Sequence, residues 1–436
     1  MSELKKSLSS YGLIMIVIGS CIGVGIFLTP AETARYLASP FWITIAWALG
    51  GIIALAGALT FAELGGLFPK AGGVYVFLKN AYGEFVAFLY GFAILLVITS
   101  GALAALAQGF AEYASKLIPM TDFQIKMVGV GVLVITTLVN ITGVKVGEYL
   151  INFFTTSKLI GIAIVILIGL FFALPEPHAV NFVPIETPES LGTVFFLALI
   201  GVYFSYGGWH HASYLAAETE NPQRTIPKVM ITGTIIVTIV YILMNLAYLY
   251  MLPIYKISNS QALAADSLGQ YFEVGGQMIA ILIMVSIFGT ISIYTMSAPR
   301  IYFAMAKDGV FFKDLAKIHP KYNTPYIAIG LQSVWAIVLI LFWDTFEDLI
   351  TYVVFMDLLF MVLAAISIFI FRKKLAEAER PYKTLGYPII PIIYIAISAI
   401  FVVNTLIEKP RQAIAGLVLT GLGLGFYIFF KKNKSN

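Results

Sequence analysis

Residues 19–27 read GSCIGVGIF and lie in the middle of an apolar run long enough to cross a membrane. Hydrocarbon offers no partner to a backbone N–H or C=O, so a membrane helix normally pairs all of them internally. Gly19, Gly23 and Gly25 lower the cost of leaving helical geometry in the place where leaving it is most expensive. A second stretch, FSYGGW at residues 204–209, repeats the pattern. Such interruptions survive at membrane depth only where protein or a water-filled cavity satisfies the freed groups. The plainer alternative is that small residues let two helices pack closely.

The surrounding composition implies an all-α integral membrane protein. Of the 436 residues, 60% are hydrophobic and 11% charged, with a mean hydropathy of +0.91, far from the globular average. Twelve apolar runs are expected to cross as transmembrane helices, at 10–34, 41–66, 84–114, 127–144, 149–173, 191–217, 229–253, 272–299, 325–343, 347–371, 385–407 and 412–430. The great majority of the 27 Lys and Arg residues then fall in the loops of one side, which places both termini in the cytoplasm of a multi-pass protein of the plasma (inner) membrane. The first ten residues carry Lys5 and Lys6, and the run after them is too long and glycine-rich for a cleaved signal peptide, so the N-terminus reads as mature. The net charge of +4 is no sign of nucleic acid, because the basic residues sit between spans. The single cysteine, Cys21, lies within the first span, so no internal disulfide can form.

No loop is long enough to fold separately, so residues 1–436 are expected to form a single polytopic domain. The two glycine-interrupted spans stand five apart, an odd number, so the second unit lies upside down relative to the first. That is the mark of a 5+5 inverted repeat, about 10–173 and 191–371, followed by two C-terminal helices at about 385–430. Broken helices 1 and 6 at matching positions point to a secondary transporter with a midplane site. Amides freed beside Gly23, Val24 and Gly25 suit a carboxylate at the positive end of a half-helix. Carbonyls released there and at Phe204 suit an ammonium, so the expected cargo is a zwitterion.

Five stretches carry a resemblance that covers nearly the whole chain: IGSCIGVGIF, PKAGGVYVFLKNAYGE (69–84), FSYGGW followed by ETENPQRTIPK (218–228), SIFGT from Ser286, and PRIYFAMAKDG (299–309). Together, and in this order, they resemble the amino acid, polyamine and organocation (APC) transporter superfamily, which has the LeuT-like fold, and within it the L-type amino acid transporter branch with its bacterial alanine-serine-cysteine and serine/threonine exchangers. The resemblance implies alternating access, with Gly23, Val24, Gly25 and the adjoining Ile26 at the substrate carboxylate, Phe204 as an outer gate, and Ser205 and Gly207 as backbone or pocket wall. Val24 stands where the family usually has serine or another small residue, and its bulk would trim the room beside the substrate, favouring a small neutral L-amino acid such as alanine or serine.

Lys158, in TTSKLIG, falls about nine residues or ~14 Å into a core ~30 Å thick. Intramembrane lysines are rare and usually functional. The resemblance implies that its ammonium replaces the cation of sodium-coupled relatives by reaching the carbonyl of Gly19 and the hydroxyl of Ser286, so transport should not need sodium. Asp357 interrupts VVFMDLLFMVL near the middle of span 10, where the branch does not ask for a carboxylate. Structural, proton-carrying and cationic-substrate roles stay open for it. His210 and His211 follow the span 6 break, with lining, packing or proton transfer as their readings, and Glu63 and Glu218 read as gate or fold contacts. Tyr241, in span 7, reads either as facing the cavity or as ordinary packing, with nothing to choose between them.

These readings converge on a sodium-independent exchanger of small neutral amino acids. A proton-coupled symporter or uniporter of neutral or cationic amino acids is the alternative. An intramembrane enzyme would need a catalytic constellation, and four histidines, one cysteine and no HExxH or GxSxG motif supply none. A channel would more naturally show a repeated filter. No cofactor or metal is expected, and the loop EYASKLIPMTDFQ lacks the cysteine by which mammalian relatives hold an accessory subunit, so no disulfide-linked partner is expected.

Overall fold

A computed structural model describes residues 8–172, 191–272, 275–342 and 346–434. Lys5 and Lys6 lie outside the described residues. The helices are α1 (Ser10–Cys21), α2 (Gly25–Leu37), α3 (Pro40–Leu67), α4 (Val74–Tyr82), α5 (Glu84–Ala93), α6 (Thr99–Ser115), α7 (Asp122–Ile141), α8 (Val144–Leu167), α9 (Leu191–Tyr206) and α10 (His211–Tyr214). They continue with α11 (Pro222–Met251), α12 (Ile254–Asn259), α13 (Leu263–Gly269), α14 (Gly275–Ser297), α15 (Pro299–Lys307), α16 (Tyr326–Phe342), α17 (Phe346–Lys374), α18 (Ile389–Glu408) and α19 (Pro410–Lys434). A π-helical turn, Ile94–Ile98, joins α5 to α6.

Among the described residues, 10 helical segments are long and apolar enough to cross a membrane, and two shorter apolar helices are Leu191–Tyr206 and Tyr326–Phe342. Local chemistry explains several starts. The Ser9 hydroxyl caps α1 by accepting from the Gly12 amide at 2.9 Å, α7 opens with a reciprocal capping box between Thr121 and Gln124, and α11 opens with Pro222 in its first turn.

Burial separates centre from periphery. In Ser10–Leu37, 89% of the apolar window is buried, against 28% in Asp122–Ile141, Ile389–Glu408 and Pro410–Lys432. The outer helices instead turn large apolar side chains outward, including Leu138, Phe153, Ile239, Val403 and Val418. That surface suits lipid and would be untenable in water. The paired helices α1 and α2 therefore run through the middle of the bundle, with α2 along α9, α1 along α11 and α8, and α8 along α14.

Candidate functional site

At the first glycine cluster, α1 ends at Cys21 and α2 begins at Gly25. The Gly23 amide turns back to the Cys21 carbonyl at 2.8 Å. The N–H groups of Val24, Gly25 and Ile26, at the N-terminus of α2, find no acceptor among the described residues, as a helix start leaves its first amides unpaired. The Val24 side chain lies against α6, where a Cβ placed on Gly109 would stand 2.4 Å from its Cγ2. A glycine on the facing helix thus absorbs the bulk of the valine. This corrects the expectation that Val24 trims a pocket.

At the second cluster, α9 ends at Tyr206 and α10 begins at His211. Gly208 has φ +106, and a Cβ there would meet the Ser20 backbone at 2.9 Å, so a residue without a side chain is required on both grounds. The two interruptions touch. The Ser20 hydroxyl donates to the Gly208 carbonyl at 2.9 Å, and a Cβ on Gly25 would lie 2.8 Å from Ser205 Cα. Ser205 Oγ is held by the Gly201 carbonyl and by Thr29 Oγ1, each at 2.8 Å. The Tyr241 hydroxyl on α11 reaches the Cys21 carbonyl at 2.7 Å and the Ser205 carbonyl at 3.0 Å, joining the two interruptions. The Phe204 ring stands perpendicular to Phe346, 5.6 Å between centroids.

Lys158 is fully buried on α8. Its ammonium donates to the Gly19 carbonyl at 3.1 Å, the Ile22 carbonyl at 2.5 Å and Thr290 Oγ1 at 2.8 Å. Three acceptors match the three donors of an ammonium group. The structure thus brings Gly19 to Lys158 as expected, and corrects Ser286. The hydroxyl on the lysine belongs to Thr290, one helical turn further along α14, while Ser286 Oγ is buried without a hydrogen-bond partner among the described residues. Ser286 gives only its carbonyl, to Thr290 Oγ1 at 3.3 Å. Positions four apart share a helix face, so sequence spacing alone does not choose between these hydroxyls.

A cavity opens beside the second interruption. Its walls include Phe204, Gly207, Gly208, Trp209, His210, His211, Tyr294, Tyr394 and Asp357. Of the expected site residues, Phe204, Gly207 and Asp357 meet here with the two histidines, whereas Gly19, Gly23, Val24, Gly25, Ile26, Lys158, Ser205 and Ser286 do not line it. Around Gly23 the space is taken by Leu106 and Thr290. His211 Nδ1 is bonded to Ser297 Oγ at 2.5 Å, and its ring lies 4.2 Å from that of Tyr294.

The two other acidic residues singled out make ion pairs. Glu218 meets Arg300 with both oxygens, at 2.7 and 3.1 Å, and both residues are buried. Glu63 accepts from Arg372 at 2.7 Å, Arg380 at 3.1 Å and the Thr384 amide at 2.8 Å. Sequence reading missed Thr290 and Gly109 and left Tyr241 undecided. The available signals were weak: a hydroxyl one turn from the expected one, a glycine opposite a valine, and a membrane-buried tyrosine whose O–H needs an acceptor.

Comparison with known proteins identifies the family. The family described as amino acid permease matches residues 8–427. The serine/threonine exchanger SteT of Bacillus subtilis (strain 168) is 34% identical over 99% of this chain and 98% of its own. The b(0,+)-type amino acid transporter 1 of Mus musculus is 30% identical over 98% of this chain and 88% of its own. The large neutral amino acids transporter small subunit 2 of Mus musculus is 29% identical over 97% of this chain and 81% of its own. The superfamily expected from the five motifs is the one these matches identify.

Proposed function

Since the chain belongs to the amino acid permease family, we propose that it is a sodium-independent exchanger of small neutral L-amino acids, alanine and serine among them, working by alternating access. The observation that carries this reading is Lys158, whose ammonium holds the end of α1 to α14 through Gly19, Ile22 and Thr290. A cation fixed to the chain organises these oxygens without an ion that must be carried and released. The serine/threonine exchanger, 34% identical, supports the same cargo class.

In this reading the chain crosses the membrane twelve times, with both termini in the cytoplasm, and α1–α2 and α9–α10 are the broken helices of two inverted repeats. The unpaired amides of Val24, Gly25 and Ile26 receive the substrate carboxylate, and the carbonyls around Phe204 and Gly207 receive its ammonium. Leu106 and Gly109 of α6 cover the first interruption here, so the carboxylate enters when α6 withdraws. Phe204 and Phe346 together form the outer gate. Cys21 is buried and suits no disulfide to an accessory subunit, so the chain works without one.

Exchange follows from the cost of the empty site. Each unsatisfied polar group in a dry site costs about 1–3 kcal/mol, and a bound amino acid pairs groups that the unloaded carrier leaves bare during reorientation. Purified protein in liposomes, challenged with labelled alanine or serine, tests this. Preloading with either amino acid should accelerate uptake at least tenfold. Equal initial rates in empty and preloaded vesicles would overturn the exchanger reading and favour a uniporter or proton symporter.

A further inference from the structure

The cavity beside the α9–α10 interruption has a wall made largely of aromatic rings: Tyr203, Phe204, Tyr206, Trp209, Tyr294 and Tyr394. Among the described residues, Asp357 is the only carboxylate that lines it, and neither lysine nor arginine does. Its Oδ1 is buried and accepts no hydrogen bond among the described residues. Buried polar atoms are nearly always paired, and a carboxylate oxygen is an especially costly one to leave bare. The neighbouring side chains do not compensate it. His211 is engaged with Ser297, and Tyr90 and Tyr214 bond to each other at 2.8 Å.

This acceptor shares a cavity with Gly207 and Phe204, where the α-ammonium of a bound amino acid is placed by the reading above. A substrate held there by its main chain directs its side chain into the cavity. A hydroxyl brings one donor to this under-paired carboxylate. An ammonium side chain would pair the charge, but it brings three donors to a wall that beyond Asp357 is made largely of rings and aliphatic side chains, so the hydroxyl is the occupant that leaves fewer groups unpaired.

We propose that Asp357 is a specificity-determining residue of the side-chain pocket and selects small amino acids that carry a side-chain hydroxyl. The proposal deepens the exchanger reading and rests on it. It goes further in separating serine from alanine and from 2-aminobutyrate, which has a methyl group in place of the serine hydroxyl.

The test uses the full-length protein in liposomes preloaded with serine, with uptake of labelled serine competed from outside. In the wild type, 2-aminobutyrate should need at least tenfold more than serine for half-inhibition, the range expected when a polar site loses its donor. Valine should trail threonine in the same way. In Asp357→Leu the gap between serine and 2-aminobutyrate should close to within about twofold. A wild-type gap already that small would overturn the proposal, as would a full gap retained in Asp357→Leu. Stronger competition by 2,4-diaminobutyrate than by serine would also overturn it, by assigning the carboxylate to a cation. Should Asp357→Leu not fold, Asp357→Ala replaces it, and the wild-type ratio is decisive by itself. Vesicles that exchange no neutral amino acid would defeat both readings, whereas vesicles that exchange serine and 2-aminobutyrate equally would defeat this one alone.

Discussion

Lys158 and Asp357 both stand inside long apolar helices, and the fold treats them in opposite ways. The seam around Lys158 supplies three protein acceptors to three donors and buries the residue completely. The wall around Asp357 gives Oδ1 no partner among the described residues and borders a cavity. A buried charge is stable only when paired and hydrogen-bonded. A charge paired entirely by protein acts as a fixed brace, while one left open at a cavity wall is placed to meet something that enters. The same contrast separates the two interrupted helices. The first is closed over by Leu106, Gly109 and Thr290, and the second borders open space through Gly207 and Gly208.

The largest expected effect comes from removing the brace. Lys158→Ala takes the charged donor from the Gly19 and Ile22 carbonyls and leaves them the single Thr290 hydroxyl to share, at about 1–3 kcal/mol for the group left unsatisfied, and it removes the link from α8 to the end of α1. Exchange should fall at least tenfold and the melting temperature in detergent should drop. Wild-type exchange in a folded Lys158→Ala protein would erase the distinction between brace and open charge.

A smaller effect is expected at Tyr241, whose single O–H serves both interruptions through the Cys21 and Ser205 carbonyls. Tyr241→Phe keeps the ring and loses about 1 kcal/mol of hydrogen bonding, which corresponds to roughly fivefold in the half-saturating concentration of serine. An unchanged value, measured in the same vesicles, would show that joining the two breaks has no part in binding.

The smallest effect is expected from the medium. Replacing external sodium by choline should leave exchange unchanged, since the ammonium of Lys158 already occupies the oxygens that a travelling cation would need. A steep sodium dependence of the initial rate would remove the fixed-cation interpretation even if Lys158→Ala proved inactive.

Much of this was legible in the chain before folding. Apolar length placed the helices well: the run expected at 41–66 is Pro40–Leu67, and that at 347–371 is Phe346–Lys374. Glycine clustering marked both interruptions, and the position of Lys158 within its run marked it as a midspan charge. The failures share one cause. The resemblance points to Ser286, but Thr290 lies on the same face of α14, a turn away, and only contact with α8 decides which hydroxyl meets Lys158. The Val24 side chain packs into α6 rather than along a pocket, and nothing in its own segment announces Gly109, 85 positions away.

Sequence by itself determined what the solvent requires: helices long enough for hydrocarbon, breaks only where glycine eases them, and charges few enough to stand out. These are local properties, set by the cost of bare backbone and bare charge in an apolar medium. Tertiary structure alone decided which groups meet. It carried Tyr241 to two carbonyls on different segments, gave Lys158 a threonine, folded α6 over the first interruption, and left Asp357 in a cavity wall with one oxygen unpaired among the described residues. Those outcomes depend on the rotation and depth of each helix against its neighbours, and side-chain packing between segments distant in the chain fixes both.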